Sequence, residues 1–502
     1  MSVKKQIIKG TIILTGATIL SRVLGFLYRI FLSNLIGAKG MGIFQLIFPV
    51  LGFCIALSCG GIQIAVSRFV AESKSSKEKF LVLLGSIIMS LVLSIATTGL
   101  LYFFAGSISI CLIHNKYCTE LLKLAAFTIP LVALHSCIGG YYLGMKKTFV
   151  PAVSSIIEQI VKVITIVVIG MVCTHNNIKI TPIVAVYSMI ISESFGAGFC
   201  LVAISGESKY TVKLSYLFTS IKRLFSVSYV LTANKIMITF LQCVEAILVP
   251  IVLVKSGLSS DNALEIYGIL TGMALPVISF PSALNTSIST MVLPTVASFN
   301  TSGKDHQLKQ TTTISIWFSI VIGIFFIGFF LQFGDFIGNV IFGHKKVGEY
   351  IMILAWLCPF MYLSITLGSI LHGLGKTNTA FIHNVFGTLI RLYLLWFGVP
   401  QVGITGYLWG LLLSEVLVTF LHSLYVKKEI HFKFNPFTNI IKPAIWMFIS
   451  MAGCKLVQFI FSFSSFTGTL FSYVSYAFSG LTFLGIFSYF VFNNYRNINN
   501  YC

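Results

Sequence analysis

The sequence predicts an all-α polytopic membrane protein of about fourteen transmembrane helices. Three observations predict it. Hydrophobic residues make up 56% of the 502 and charged residues only 10%, against about 25% charged in an ordinary soluble domain. Mean hydropathy is +0.93. The apolar runs recur at or above the ~20-residue length needed to cross a ~30 Å hydrocarbon layer. No water-soluble surface can be built from such a chain.

Cut at Gly, Pro and charge clusters, the runs give fourteen spans: 7–33, 43–69, 80–104, 120–143, 149–172, 181–204, 226–254, 266–297, 311–333, 350–372, 379–398, 403–425, 441–463 and 468–491. The first is too long for a signal-peptide core and lacks a small-residue cleavage site, so it is expected to remain a membrane helix. With the N-terminus placed in the cytoplasm, 21 of the 34 Lys and Arg fall on the cytoplasmic side and six on the opposite side, the other seven lying deeper within spans. This asymmetry obeys the positive-inside rule with both termini cytoplasmic. The net charge of +20 is therefore mainly a topology signal. Its cations are scattered over short loops, so no nucleic-acid partner is expected. The eleven Cys are scattered singly without metal-ligand spacing and read as small buried hydrophobes.

An internal duplication is visible at an offset of 229, where Gly144, Lys147, Thr148 and Lys162 meet Gly373, Lys376, Thr377 and Arg391. Nearby offsets match Gly42 and Pro49 to Gly268 and Pro276, and Glu193 to Glu415. The repeat is six spans long. An even number of crossings gives both copies the same orientation, related by an axis along the membrane normal with a cavity between them, as in transporters. The expected domains are an N-terminal six-helix lobe at 1–204, a cytoplasmic linker at 205–225, a second lobe at 226–425, and two additional helices with a tail at 426–502. The linker carries Lys209, Lys213, Lys222 and Arg223 and is expected to lie partly on the anionic leaflet. Residues 334–348, with Gly334, Gly338 and Gly343, read as an extracytoplasmic turn.

Charges within spans are the candidate functional groups. Arg22 and Arg29 are seven residues apart in span one and share one helix face. A guanidinium at membrane depth costs from ~2.5 to over 10 kcal/mol unless water, a counter-charge or a ligand receives it. Both are expected to attract a phosphate-like anion bidentately; for Arg29, snorkelling to the interface is the alternative. Lys162 and Arg391 hold matched places and are the other candidate substrate-binding residues, although Glu158, one turn before Lys162, is also suited to an internal pair with it. Glu245, Glu193 and Glu415 are candidate coupling or cavity acids, or structural partners hydrogen-bonded between helices. Pro49, Pro276, Pro281 and Pro294 are candidate gating positions, since each removes an i to i−4 hydrogen bond. Pro130 and the Gly60–Gly61 pair are further breakers.

No nucleotide-binding, metalloprotease or nucleophile-elbow motif is present, and the nine His do not cluster at metal spacing. No catalytic residue, cofactor or metal is expected. Energy would come from H+, Na+ or the membrane potential.

The segment S-R-V-L-G-F-L-Y-R-I-F-L-S-N-L-I-G-A-K-G-M-G-I-F-Q at 21–45, G-G-I-Q-I-A-V-S-R-F-V-A-E at 60–72 and Y-L-G-M-K-K at 142–147 resemble the polysaccharide-transporter and MATE-like flippase superfamily. Within it the chain is most similar to the stage V sporulation protein B group, which is related to peptidoglycan lipid-precursor flippases. The resemblance covers nearly the whole chain. It implies two lobes in a V shape that open alternately to either face and move undecaprenyl-pyrophosphate-linked sugars between leaflets. It places Arg22 at the cavity arginine of S-R-V-L-G. It gives 441–463 and 468–491 a lipid-tail groove. Further cavity arginines of the flippases in spans two and eight are not matched: Arg68 stands near the cytoplasmic end of span two, and span eight has none.

The expected function is therefore flipping of a lipid-linked glycan, a peptidoglycan precursor for spore cortex synthesis, in a bacterial cell membrane. The protein is not expected to be an enzyme and is expected to work as a monomer among membrane lipids, with cell-wall synthesis proteins as candidate partners. The rivals are a cation-coupled multidrug exporter of the same fold and a non-transporting sporulation scaffold.

Overall fold

A computed structural model of the chain describes residues 3–73, 75–178, 180–206, 214–432, 434–462 and 469–498. Lys74, Lys179, Lys433 and residues 207–213 of the expected linker, with Lys209 and Lys213, lie outside the described residues. All regular structure among the described residues is helical. The chain divides into two compact units, 1–273 and 274–502.

The first unit contains α1 (Val3–Cys59), α2 (Ile62–Glu72), α3 (Ser76–Ser107), α4 (Cys118–Ala125), α5 (Thr128–Gly144), α6 (Phe149–His175), α7 (Ile183–Ser205), α8 (Leu214–Lys255) and α9 (Ser260–Tyr267). The second contains α10 (Leu275–Ser279), α11 (Ser282–Thr301), α12 (Asp305–Phe336), α13 (Lys345–Leu354), α14 (Cys358–Gly373), α15 (Thr377–Val402), α16 (Ile404–Ile430), α17 (Lys442–Ser462) and α18 (Thr469–Ile498). Among the described residues, thirteen helical stretches are long and apolar enough to cross a membrane. One of them, Ile13–Glu72, holds both of the first two expected spans, joined through Gly37, whose φ of 68° breaks the helix of α1 at little cost to a residue without Cβ. The protein is thus a multi-pass membrane protein.

Four expected spans are interrupted. Span two leaves its helix at Gly60–Gly61, span four divides between α4 and α5, span eight turns at Phe280–Pro281, and span ten divides between α13 and α14 through the turn Ala355–Leu357. Pro281 caps α11, and Pro276 lies at the start of α10 after a π-helical stretch, Gly268–Ala274. Pro49 and Pro294 lie inside α1 and α11, which continue past them. Proline tends to begin helices because it has no N–H to leave unsatisfied there.

The duplication survives in the hydrogen bonds. Helices α3 and α12 begin and end 229 positions apart, and each runs into a π-helical turn, Ile108–Leu112 and Ile337–Ile341. The turns close through Asn115 N–H to Ser109 C=O (3.0 Å) and His344 N–H to Gly338 C=O (2.9 Å). After α5 and α14, Lys147 N–H reaches Tyr142 C=O at 2.9 Å and Lys376 N–H reaches Leu371 C=O at 2.8 Å. Between them Lys146 and Gly375 take positive φ, 61° and 77°. Residues 334–348 are more ordered than a plain turn, since α12 and α13 enclose them.

The second half of the expected linker is helical. Leu214 begins α8, the Arg223 guanidinium covers the Phe69 ring at 4.8 Å and also meets Glu72 at 3.5 Å. In the second unit, α17 and α18 dock on α12 through aromatic contacts, Phe325 meeting Phe483 and Phe487 at 5.2 and 5.1 Å, and Gln332 donating to Gln458 at 3.2 Å.

The matched glycines Gly42 and Gly268 abut each other in the first unit. A Cβ on Gly42 would collide with the Leu264 carbonyl, and one on Gly268 with the Ala38 carbonyl. Lys39 and Asp261 form an ion pair at 2.7 Å beside this crossing, worth at most ~1 kcal/mol because both are exposed. Gly42→Val and Gly268→Val should each lower the thermal midpoint in detergent, with a cost of ~2 kcal/mol or more because backbone is struck. Gly99→Val, where a Cβ meets nothing within 4 Å, should leave it nearly unchanged.

Candidate functional site

The first half of α1 is an apolar helix with a polar seam, and α6 carries the complementary one. Ser21 and Ser155 hydroxyls meet at 3.1 Å. Gly25 lies against Gln159, whose Oε1 would be 3.3 Å from a Cβ there. One turn on, Lys162 Nζ sits 5.2 Å from the centre of the Tyr28 ring, a cation–π contact. The Tyr28 hydroxyl is 2.9 Å from Ser188 on α7. Residue numbers rise together on both helices, so α1 and α6 run parallel. Small residues let the backbones approach, which is how helices associate in lipid, where burial of apolar surface supplies no drive.

This seam brings Arg29 and Lys162 together. Arg22 and Arg29 are half-buried on α1, and Lys162 lies within the fields of Arg29, Glu158 and Glu193. Arg391 belongs to the second unit, where its side chain passes over Gly410 on α16, Cγ lying 3.8 Å from a Cβ placed there. Arg68 is committed elsewhere, its Nε donating to Glu72 at 2.8 Å.

The acids separate. Glu193 on α7 and Glu158 on α6 form, with His135 on α5, a group whose ligand atoms all lie within 4.8 Å of one another. Glu245 is buried, 6% exposed, on α8 in the neighbourhood of Tyr267 on α9. Glu415 is half-buried on α16 beside the buried Ser414, whose hydroxyl is spent on Leu411 C=O at 2.9 Å. Around the group of three, His135 Nε2 lies 2.9 Å from Ser154 Oγ, Ser154 donates to Gly196 C=O at 3.2 Å, and Gln159 donates to Glu158 at 3.0 Å. His135 Nδ1 faces Glu193 Oε2 at 3.7 Å. Three such ligands meet the spacing of a small cation, but the Lys162 ammonium lies in the same field and competes with one.

Sequence reasoning missed His135, Ser154 and Gln159. His135 lies on α5 and Ser154 and Gln159 on α6 in no recognisable motif, and only the packing of α5, α6 and α7 joins them. The one available signal was Glu158, an acid within a span one turn from Lys162.

The repeat is chemically unequal here. Glu158 and Lys162 correspond to Gly387 and Arg391 at the offset of 229. A side chain at Gly387 is excluded by Val418 on α16, so the second copy cannot hold an acid there.

A family model described as "Polysaccharide biosynthesis protein" matches residues 7–300, more than half of the chain. The chain belongs to the polysaccharide biosynthesis protein family. A MatE family model matches residues 236–397. Stage V sporulation protein B of Bacillus subtilis (strain 168) is 26% identical over 441 residues, covering 85% of this chain and 84% of that protein. Lipid II flippase MurJ of the same organism is 24% identical over 434 residues, covering 78% and 76%. A solved structure of lipid II flippase MurJ in an inward closed conformation superposes with a TM-score of 0.71 at 18% identity, over 97% of this chain and 99% of that one. The family member described here therefore shares the MurJ-type fold.

Removing Lys162 strips the acids of a buried counter-charge, so Lys162→Met should destabilise the protein by ~3 kcal/mol. Adding Glu158→Gln should restore part of that loss. A double-mutant cycle of thermal midpoints checks this, and strictly additive losses would show that the two residues do not interact.

Proposed function

We propose that this protein flips an undecaprenyl-pyrophosphate-linked glycan, a peptidoglycan precursor used in spore cortex synthesis, from the cytoplasmic to the outer leaflet of a bacterial cell membrane by alternating access. The observation that carries this reading is the pair of cations Arg29 and Lys162 at the α1–α6 seam of an apolar unit, with the half-buried Arg22 two turns earlier on α1. A pyrophosphate is the charge such a set suits, because guanidinium groups pair bidentately with phosphate oxygens. The relatives named sporulation protein B and lipid II flippase support the same cargo class. Arg391 is a further proposed cargo-binding residue, taken by itself in the second unit. Both termini lie in the cytoplasm, and the unit of function is a monomer.

The chain does no chemistry on its cargo in this reading. Binding the pyrophosphate offsets the cost of holding the cations at membrane depth, while the polyprenyl tail stays in lipid. The energy comes from an ion gradient or the membrane potential.

The test uses proteoliposomes loaded with fluorescent polyprenyl-pyrophosphate sugars on one leaflet. Wild-type protein should speed their appearance on the other. Arg22→Ala and Arg29→Ala should each slow it at least ~10-fold, equivalent to the loss of one charge-assisted contact, with insertion and thermal midpoint retained. Transport of cationic drugs with no movement of the lipid would favour the exporter, and no transport of either would favour a scaffold.

A further inference from the structure

We propose that the His135–Glu193 contact is a proton site coupled to cargo binding, so that one proton enters the α5–α6–α7 cluster as a pyrophosphate binds the cations beside it. The inference rests on the transporter reading above and adds a proton that travels with the cargo, leaving the membrane potential acting on the anionic headgroup as the source of energy.

We assign the resting tautomer from the hydrogen bonds around Ser154. Gly196 C=O can only accept, so Ser154 donates its hydroxyl proton to it at 3.2 Å. The Ser154 oxygen then accepts from Cys200 Sγ–H at 3.3 Å and from His135 at 2.9 Å. The His135 proton therefore sits on Nε2. A neutral imidazole so held turns the lone pair of Nδ1 toward Glu193 Oε2, 3.7 Å away. That oxygen is buried and has no hydrogen-bond partner among the described residues. Two acceptors facing each other out of water lack one proton, and a proton on either atom converts the contact into a hydrogen bond.

Charge balance disfavours a divalent metal ion, and an imidazole nitrogen among the three ligand atoms suits a proton better than a hard monovalent cation. Arg29 and Lys162 already offset Glu158 and Glu193 in number. A divalent cation would leave two uncompensated charges in the membrane interior, whereas a proton leaves one. The other titratable or charged groups in the field are Cys59 on α1, Cys200 on α7 and Tyr28 beside Lys162. On α4, which also packs on α7, Lys123 is held over the Tyr102 ring at 5.4 Å.

Coupling follows from shared partners. The acids are the counter-charges of Lys162 and Arg29 until an anion arrives. A bound pyrophosphate takes over those cations, the acids lose their positive partners, and the Nδ1–Oε2 gap takes up a proton from water. The proton leaves to water when the anion departs. By linkage, protonation must then strengthen anion binding as much as the anion strengthens protonation.

The experiment is calorimetric titration of the full chain in detergent with geranyl pyrophosphate, in two buffers of different ionisation enthalpy, which counts protons per bound anion. Wild type should take up about one proton more than Glu193→Gln, the comparison cancelling the probe's own ionisation. Ser154→Ala is the second variant, for use if Glu193→Gln does not fold. Without the Ser154 oxygen the imidazole proton is free to move to Nδ1 and satisfy Glu193, so the uptake should be lost although both charges remain. Binding with equal proton counts in wild type and both variants would overturn the proposal while leaving the cargo reading standing. No binding by folded wild type would defeat the cargo reading and the coupling with it. Added Zn2+ or Na+ that abolishes the uptake at constant pH would make this a metal site and also overturn it.

Discussion

A charge in hydrocarbon must be met by an opposite charge, a hydrogen bond or water, and that constraint organises the first unit. Arg29 and Lys162 would be prohibitive on an isolated apolar helix. They are tolerable because α1, α6 and α7 pack through serines and glycines closely enough for Tyr28, Glu158 and Glu193 to share their field. The polar seam is therefore both a condition of folding and the source of the site. Helix ends and loops hold much of the remaining charge: Ser75 and Glu78 cap α3 reciprocally, and Lys376, outside the spans, has its ammonium held above the usual lysine range by Glu429 and Tyr425.

The two copies of the repeat have kept their backbone and diverged in their interior chemistry. Ser154 and Cys200, in contact at 3.3 Å, correspond to His383 and His422, whose rings lie 5.1 Å apart. Glu158 has become Gly387, and with it the space for an acid has closed against Val418.

Much of the fold was legible because membrane helices announce themselves by length and hydropathy, and because the repeat kept an offset that the hydrogen bonds still obey. Lys162 and Arg391 were recognisable as matched cations. What periodicity did not reveal were events one residue wide: the positive φ of Gly37, and the divisions at Phe127 and Phe280. The linker looked like a surface loop because α8 begins with alternating polar residues, yet Arg223 is drawn onto Phe69 and Glu72. The His135 cluster was illegible for a different reason. It depends on the packing of three consecutive helices, none of which carries more than part of a motif.

The central claim is that the α1–α6 seam is a wet, positively charged site within the membrane. It is tested most directly by placing Cys at position 22 in a chain freed of its own cysteines and measuring its modification in sealed vesicles. Membrane-impermeant thiol reagents should react, and an anionic reagent should react faster than a cationic one of the same size, because Arg29 and Lys162 remain nearby. Modification by lipid-soluble reagents alone, with no difference between the signs of charge, would contradict it.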